Sequence, residues 1–242
     1  MIVLCTDFGL EGPYTGQVKA VLARAAPAVP VIDLFADLPP FRPQPAAYLL
    51  AAYGEFFAAG DVILAVVDPG VGGARAALAL EADGRWYVGP DNGVFEIVLR
   101  RAQTTRCWAI AWQPAALSAT FHGRDLFAPV AAGLARGEPP PGTTAAATRH
   151  PDWPDDLAEI VYLDRYGNAM TGLRAALLPA GTEFEAGGVR IARARTFSDM
   201  PPGGLLWYAN ANGLAEIAAH GGSAATRLSL APGSAVAVHA PG

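Results

Sequence analysis

Asp68 opens a glycine-rich turn that Arg75 closes, and Gly70, Gly72 and Gly73 lie between them. An acid and a guanidinium so placed could orient a water or hold a polar ligand, while the glycines let the backbone approach it closely. The turn follows DVILAVV, an apolar run read as a buried strand ending at Val67. In open α/β sheets ligands bind beyond the carboxyl ends of strands, so Asp68 stands where a site residue belongs. Taken alone, an ordinary turn with an Asp–Arg surface pair explains the segment equally well.

A second segment, TFHGRDLFAP, sets His122, Arg124 and Asp125 at the start of a helical pattern. His122 lies between Phe121 and Gly123, where a ring can be both walled off and approachable. Singly, it would more commonly be a hydrogen-bonded structural histidine, and Asp125 a first-turn acid favoured by the helix dipole. In TDFGLEGPYTG, Asp7 directly follows the strand-like IVLC and could accept hydrogen bonds from ribose hydroxyls. The dinucleotide fingerprint G-x-G-x-x-G is absent, which disfavours nicotinamide chemistry. Asp91 to Gly93 reads as a turn with Asp91 or Asn92 capping a short helix.

The elements that must carry these residues alternate in type. IVLC, VIDL and DVILAVV are strand-like, and YTGQVKAVLARAA and PAAYLLAAYGEFF between them are helical, which is the pattern of βαβ units. ALALEA and WYVG add strands, and RDLFAPVAAGLARG adds a helix. The expectation is an α/β, Rossmann-like N-terminal domain with a mainly parallel sheet over residues 1–136. Residues 137–156, rich in Pro, Thr and Asp, read as an interdomain linker. Residues 157–242 change texture to short strands separated by glycines, which predicts a smaller antiparallel β-barrel domain. No internal repeat relates the two halves.

Composition narrows the class. With 52% hydrophobic and 16% charged residues the chain fills a core and is not disordered. Its net charge is −5 and its sole lysine is Lys19, so no basic run offers itself to nucleic acid. Cys5 and Cys107 have neither metal-ligand spacing nor a disulfide-rich pattern and read as reduced core residues. The MIVLCTDFG start lacks a basic segment and a long apolar run, and no stretch is apolar enough to span a bilayer. The expected location is the cytoplasm.

TDFG with Tyr14, Gly16 and Lys19, then VDPGVGGAR, PDNG, TFHGRDLFAP, DRYGN and NANGLAEIA occur in this order. Together they resemble the S-adenosylmethionine hydroxide adenosyltransferase family, which is related to fluorinases and chlorinases. The resemblance spans nearly the whole chain. It implies hydrolysis of S-adenosylmethionine to adenosine and methionine, without a cofactor or metal. It also implies an α/β domain followed by a barrel-like domain, and trimers whose sites lie between subunits.

The resemblance assigns Asp68, Arg75 and His122 to activation of the attacking water, and Asp7 to the ribose hydroxyls. Phe41 in PPFRPQ looks like the aromatic residue lining the nucleoside pocket. Asp164 and Asn168 of DRYGN resemble the pair that grips the amino-acid end, Asn212 the part that meets the methionine carboxylate, and the backbone at Ala224 the part that meets adenine. In the halogenating relatives tyrosines stand at the positions of Asp68 and His122. Two departures are Gly172, where an asparagine is common, and FADLPP, which lacks the usual polar residues before the double proline. Other readings of the same residues are a halogenase, a non-catalytic adenosine or S-adenosylmethionine binding protein, and a metal-dependent phosphatase using Asp68, Asp91, His122 and Asp125. The last lacks the paired His and Asp patterns of such sites.

Overall fold

The computed structural model describes residues 1–241, which divide into two compact units, Met1–Trp153 and a second beginning at Pro154. In the first unit β1 (Ile2–Thr6), β2 (Val31–Phe35), β3 (Val62–Val66), β4 (Ala77–Ala82), β5 (Arg85–Pro90), β6 (Thr105–Ile110) and β7 (Gly142–Thr144) form one sheet in the order β2-β1-β3-β5-β4-β6-β7. The pairs β2-β1, β1-β3 and β3-β5 are parallel. The pairs β5-β4, β4-β6 and β6-β7 are antiparallel, so β4 and β7 oppose the direction of the other strands. β1 and β3 are buried along their whole length. IVLCT and VILAV are apolar without alternation because both sheet faces are covered.

The covering helices read directly from their residues. α1 (Tyr14–Ala25) buries Val18 and Leu22, an i, i+4 stripe. α2 (Pro43–Gly54) starts with a proline in its first turn and is buried nearly throughout. α3 (Glu96–Arg101) begins beyond the position where Asp91 or Asn92 would cap it, and its N-cap is Phe95, without a side-chain cap. A π-helical turn, Gly123–Phe127, runs into α4 (Ala128–Ala135), which packs on α1 and β3. The resulting core joins Leu4, Leu22, Leu64 and Phe127, all at most 1% exposed. Burial of each such side chain stabilises the unit by about 1.5–3 kcal/mol.

Residues 137–156 depart from the linker expectation. They contain β7 at the sheet edge, and the two compact units divide only between Trp153 and Pro154. Side chains from earlier in the chain hold residues 148–153. Arg100 donates to the carbonyls of His150 (2.6 Å) and Trp153 (2.7 Å), and the buried carboxylate of Glu96 pairs with both Arg100 and Arg149.

The second unit holds β8 (Leu157–Leu163), β9 (Ala169–Arg174), β10 (Glu183–Ala186), β11 (Val189–Ile191), β12 (Leu205–Ala209), β13 (Leu214–Ala219), a short helix α5 (Ala224–Leu228) and β14 (Ala237–His239). They build two antiparallel sheets, β12-β13-β9-β8 and β11-β10-β14. Trp207 is fully buried, stacks on Phe184 at 4.5 Å between ring centroids, and donates its indole N–H to the Thr182 carbonyl.

Both cysteines are unpaired, and burial pushes the Cys5 thiol far up and the Cys107 thiol to about 11. No helix among the described residues is long and apolar enough to cross a membrane.

Candidate active site

Thr6 of β1 lies opposite Val66 of β3, so Asp7 and Asp68 leave neighbouring parallel strands at the same edge. The Asp7 amide donates to the Val66 carbonyl at 3.3 Å. Asp7, Phe41, Asp68 and His122 line one cleft of about 120 Å³, walled also by Phe8, Val71 and Phe121. Four of the residues expected from sequence to form a site are thus brought together at the carboxyl ends of β1 and β3.

Arg75 stands behind them and joins two of them. Its Nε donates to Asp68 Oδ1 and Oδ2 at 3.0 and 3.1 Å, and its Nη2 donates to Asp68 Oδ2 at 2.5 Å and meets His122 Nδ1 at 2.8 Å. The side chains are only 11% and 4% exposed for Arg75 and Asp68, so the pair is not a solvated surface contact. The guanidinium also lies over the Phe127 ring, 5.1 Å from its centroid. Arginine has donors only, so His122 Nδ1 is the acceptor and the ring proton sits on Nε2. Burial first, and the Arg75 charge second, hold the His122 pKa below 6.5, and the imidazole is neutral at pH 7.

Close packing keeps the segments that carry Asp68 and His122 in register. Gly72 has φ +77, and a Cβ there would lie 2.3 Å from the Ala119 carbonyl oxygen, so the turn after β3 tolerates no side chain against residues 118–120. Those residues are held in turn by Asp125, which accepts from the Ser118 amide at 2.9 Å and pairs with Arg124. Phe8, Tyr14 and Phe121 pack edge-on or tilted, with centroids 5.4–6.2 Å apart, and wall the His122 side.

Asp7 has a second partner. Its Oδ2 accepts from the Phe41 amide at 3.0 Å, and Phe41 sits at φ +62 and is 74% exposed. A non-glycine residue in this left-handed region is strained by order 1–3 kcal/mol, which a hydrogen bond to a carboxylate is large enough to offset. Burial raises the Asp7 pKa, with the negative charge of Asp68 adding to it and the Phe41 amide opposing it.

In the second unit, DRYGN forms a tight turn. Asp164 Oδ1 accepts from the amides of Tyr166 and Asn168, and its Oδ2 accepts from Asn168 Nδ2 at 2.8 Å. Asp164 and Asn168 line a cavity of about 660 Å³ with Tyr166, Phe197, Tyr208 and His220. Glu216 also lines it, a residue that sequence reasoning passed over. It is 3% exposed, accepts from Tyr208 Oη and Asn210 Nδ2, and has its pKa raised by burial.

Asn212 and Ala224 are not brought to this lining. Asn212 sits in the β12–β13 turn, its amide held by Asn210, and Ala224 is packed in the core at the start of α5. The side chain of Ala224 is therefore taken up by the core. Gly172 has a local reason, since a Cβ would lie 2.7 Å from that of Leu157 on β8. An asparagine would need the strands to separate.

With this geometry in place, similarity to known proteins is decisive. Residues 2–144 match the SAM hydroxide adenosyltransferase N-terminal domain, and residues 158–237 match its C-terminal domain. The chain belongs to the SAM hydroxide adenosyltransferase family. Among family relatives, a protein of Thermus thermophilus named (R)-S-adenosyl-L-methionine hydrolase is 42% identical over 97% of this chain and 98% of its own. One of the same name from Salinispora arenicola is 39% identical over 99% and 97%. A fluorinase from an Actinoplanes species is more distant, at 23% identity over 57% of this chain and 55% of its own. The crystal structure of an uncharacterized conserved protein from Thermotoga maritima superposes with a TM-score of 0.89 at 30% identity, over 98% of this chain and 99% of that one.

Of the residues considered for a cation site, Asp68 and His122 share the cleft and Arg75, while the other two are engaged elsewhere. Asp91 accepts from the amide and hydroxyl of Thr148, and Asp125 from Arg124 and Ser118. Among the described residues no three His, Cys, Asp or Glu side chains gather as a metal site requires.

Proposed function

We propose that Asp68, Arg75 and His122 carry out the hydrolysis of S-adenosylmethionine to adenosine and methionine in this chain, with Asp68 taking the proton of the attacking water. The observation that carries this division of roles is the Arg75 contact to His122 Nδ1. With Nδ1 occupied and the proton on Nε2, the neutral ring has no free lone pair and acts as a donor. Asp68 keeps lone pairs beyond those Arg75 uses, and it lines the cleft. The water oxygen forms a bond to the ribose C5′, and the C5′–S bond breaks with its electron pair passing to sulfur, which leaves as the neutral thioether of methionine. The water proton passes to Asp68 and then to solvent. A sulfonium is already a good leaving group, so the task of the site is to hold a water in line and favour its hydroxide character.

Asp7 holds the ribose hydroxyls and Phe41 covers the nucleoside. Asp164 and Asn168, on the second unit's cavity, take the amino-acid end, and the acceptors there suit an ammonium. The aromatic rings of Tyr166, Phe197 and Tyr208 around the same cavity favour a second reading, in which it receives the adenine. The relatives named for the (R) substrate support the reading that the (R) sulfonium epimer is the one consumed. We read the second unit as a barrel, because the isolated bridges Glu159–Ala235 and Arg193–Trp207 pair β8 and β12 of the larger sheet with residues two positions from β14 and β11 of the smaller. Purified protein incubated with each sulfonium epimer and chromatographed for adenosine tests the function. Adenosine from the (R) epimer is expected, and faster loss of the (S) epimer would reject the stereochemical part.

A further inference from the structure

The PDNG segment has no part in the chemistry proposed above, yet it grips both feet of the turn that carries Asp68 and Arg75. At the first foot, Asn92 Nδ2 donates to the Val67 carbonyl at 2.9 Å, one residue before Asp68. At the second, the Asp91 amide donates to the Ala76 carbonyl at 3.0 Å, one residue after Arg75. Val67 is fully buried and lies past the end of β3, so its carbonyl has left the strand ladder and needs a donor from elsewhere. Asn92 is itself fixed, since its Oδ1 accepts from the Val94 amide at 3.3 Å. The Asp91 carboxylate in turn holds Thr148.

We infer that Asn92 is a positioning residue for the hydrolysis: through the Val67 carbonyl it sets where the Asp68 carboxylate stands relative to His122. The inference rests on the role proposed for Asp68. Removing the amide leaves a buried carbonyl without its donor and frees the peptide from which Asp68 projects. Asp7 and Phe41, on separate segments, are untouched. Misplacement of a reacting group by about 1 Å costs on the order of 100-fold in rate, so the defect belongs in kcat and not in KM.

The experiment compares Asn92→Ala, Asn92→Ser and Asn92→Asp with the parent enzyme in steady-state hydrolysis of S-adenosylmethionine, with circular dichroism and melting on each. Serine is the milder truncation, so a poorly folded alanine variant does not remove the test. The expected result is a fall in kcat of roughly 10- to 100-fold with KM within roughly threefold of the parent. The Asn92→Asp variant adds a signature that a merely structural role would not show. Ionised, its carboxylate faces the Val67 carbonyl as a second acceptor, and protonated it donates as the amide does. Its rate relative to Asn92→Ala should therefore rise as the pH is lowered. In an Asp68→Ala background, loss of Asn92 should cost nothing further. Folded variants with parental kcat, or an equal further loss in the Asp68→Ala background, would overturn the inference. Full turnover by Asp68→Ala alone would instead reject the role of Asp68, so the two failures are distinguishable.

Discussion

Arg75 binds Asp68 and His122 with the same nitrogen: Nη2 lies 2.5 Å from Asp68 Oδ2 and 2.8 Å from His122 Nδ1. The two residues it joins come from segments 54 positions apart in sequence (122 − 68), and the guanidinium sets both their spacing and the tautomer of the ring. A lysine cannot do this, because an ammonium offers no planar fork to the carboxylate. Asp68→Ala, His122→Ala and Arg75→Lys should each remove most turnover while the fold persists, with losses of about 100-fold or more. Far-ultraviolet circular dichroism and single-turnover rates check this. Near-parental turnover in both the Asp68 and His122 variants would sink the mechanism.

Asp7 is expected to act on binding. Asp7→Ala removes the acceptor proposed for the ribose hydroxyls and also the hydrogen bond to Phe41, which sits at positive φ. The apparent KM for S-adenosylmethionine should rise by on the order of tenfold, equivalent to about 1.4 kcal/mol. Phe41→Gly separates the two effects, since glycine adopts this backbone freely. It should melt no lower than the parent yet bind the nucleoside less well. An unchanged KM in Asp7→Ala would remove Asp7 from the ribose role.

The sequence showed the Asp7 and Asp68 positions because unalternating apolar runs announce buried parallel strands, whose ends are where ligands bind. The Arg75–His122 contact could not be read from sequence, since nothing local in TFHGRD points to a guanidinium 47 residues earlier. Residues 137–156 resembled a linker because their polar groups carry no apolar period; their partners, Asp91, Glu96 and Arg100, are distant in sequence. Glu216 was passed over because a charged residue in AEIAAH reads as solvent-facing, whereas Tyr208 and Asn210 satisfy it inside the unit. The segment AMTGLR, which forms β9, lacks strand alternation, and the close approach of Gly172 to Leu157 appears only once β8 pairs with it.

The acid limb of the pH–rate profile should reflect His122 and Asp7. Burial and Arg75 lower the His122 pKa from 6.5, and burial raises that of Asp7 from 3.8. Protonation of Nδ1 would displace the Arg75 N–H, so activity should hold as pH falls to 6.5 and be lost only below it. The same shift gives a sign for stability. The unfolded chain binds the proton more readily than the folded one, so stability present above pH 6.5 is lost as pH falls through the window beneath it. His122→Gln lacks this titration and should lose less melting temperature than the parent across that window. Equal losses would mean that His122 is not held neutral by the fold.

The residues proposed for water activation all belong to the first unit, and those proposed for the amino-acid end all belong to the second. The family resemblance carries the expectation of a homotrimer in which neighbouring subunits complete each site. Sedimentation equilibrium should give three times the chain mass of 25.1 kDa. Full activity in a stable monomer would contradict it.

Water, not halide, should be the nucleophile even when chloride is abundant. The Asp68 carboxylate lines the cleft, and Asp7 stands beside it on the neighbouring strand. Two like unit charges about 4 Å apart repel by roughly 4 kcal/mol at an effective dielectric near 20. At about 1.4 kcal/mol per tenfold, that disfavours chloride occupancy by close to three decades. Arg75 softens this repulsion, but it is not on the cleft lining and aims its donors elsewhere, Nε and Nη2 at Asp68 and His122 and Nη1 at the Ala76 carbonyl. Water escapes the penalty, since it can donate to the carboxylate while keeping a lone pair for C5′. Hydrolysis in oxygen-18 water with molar chloride should therefore yield adenosine labelled at the 5′ oxygen. If 5′-chloroadenosine were the major product, or the adenosine carried no label, the carboxylate would not be acting on water and the hydrolytic mechanism would fall.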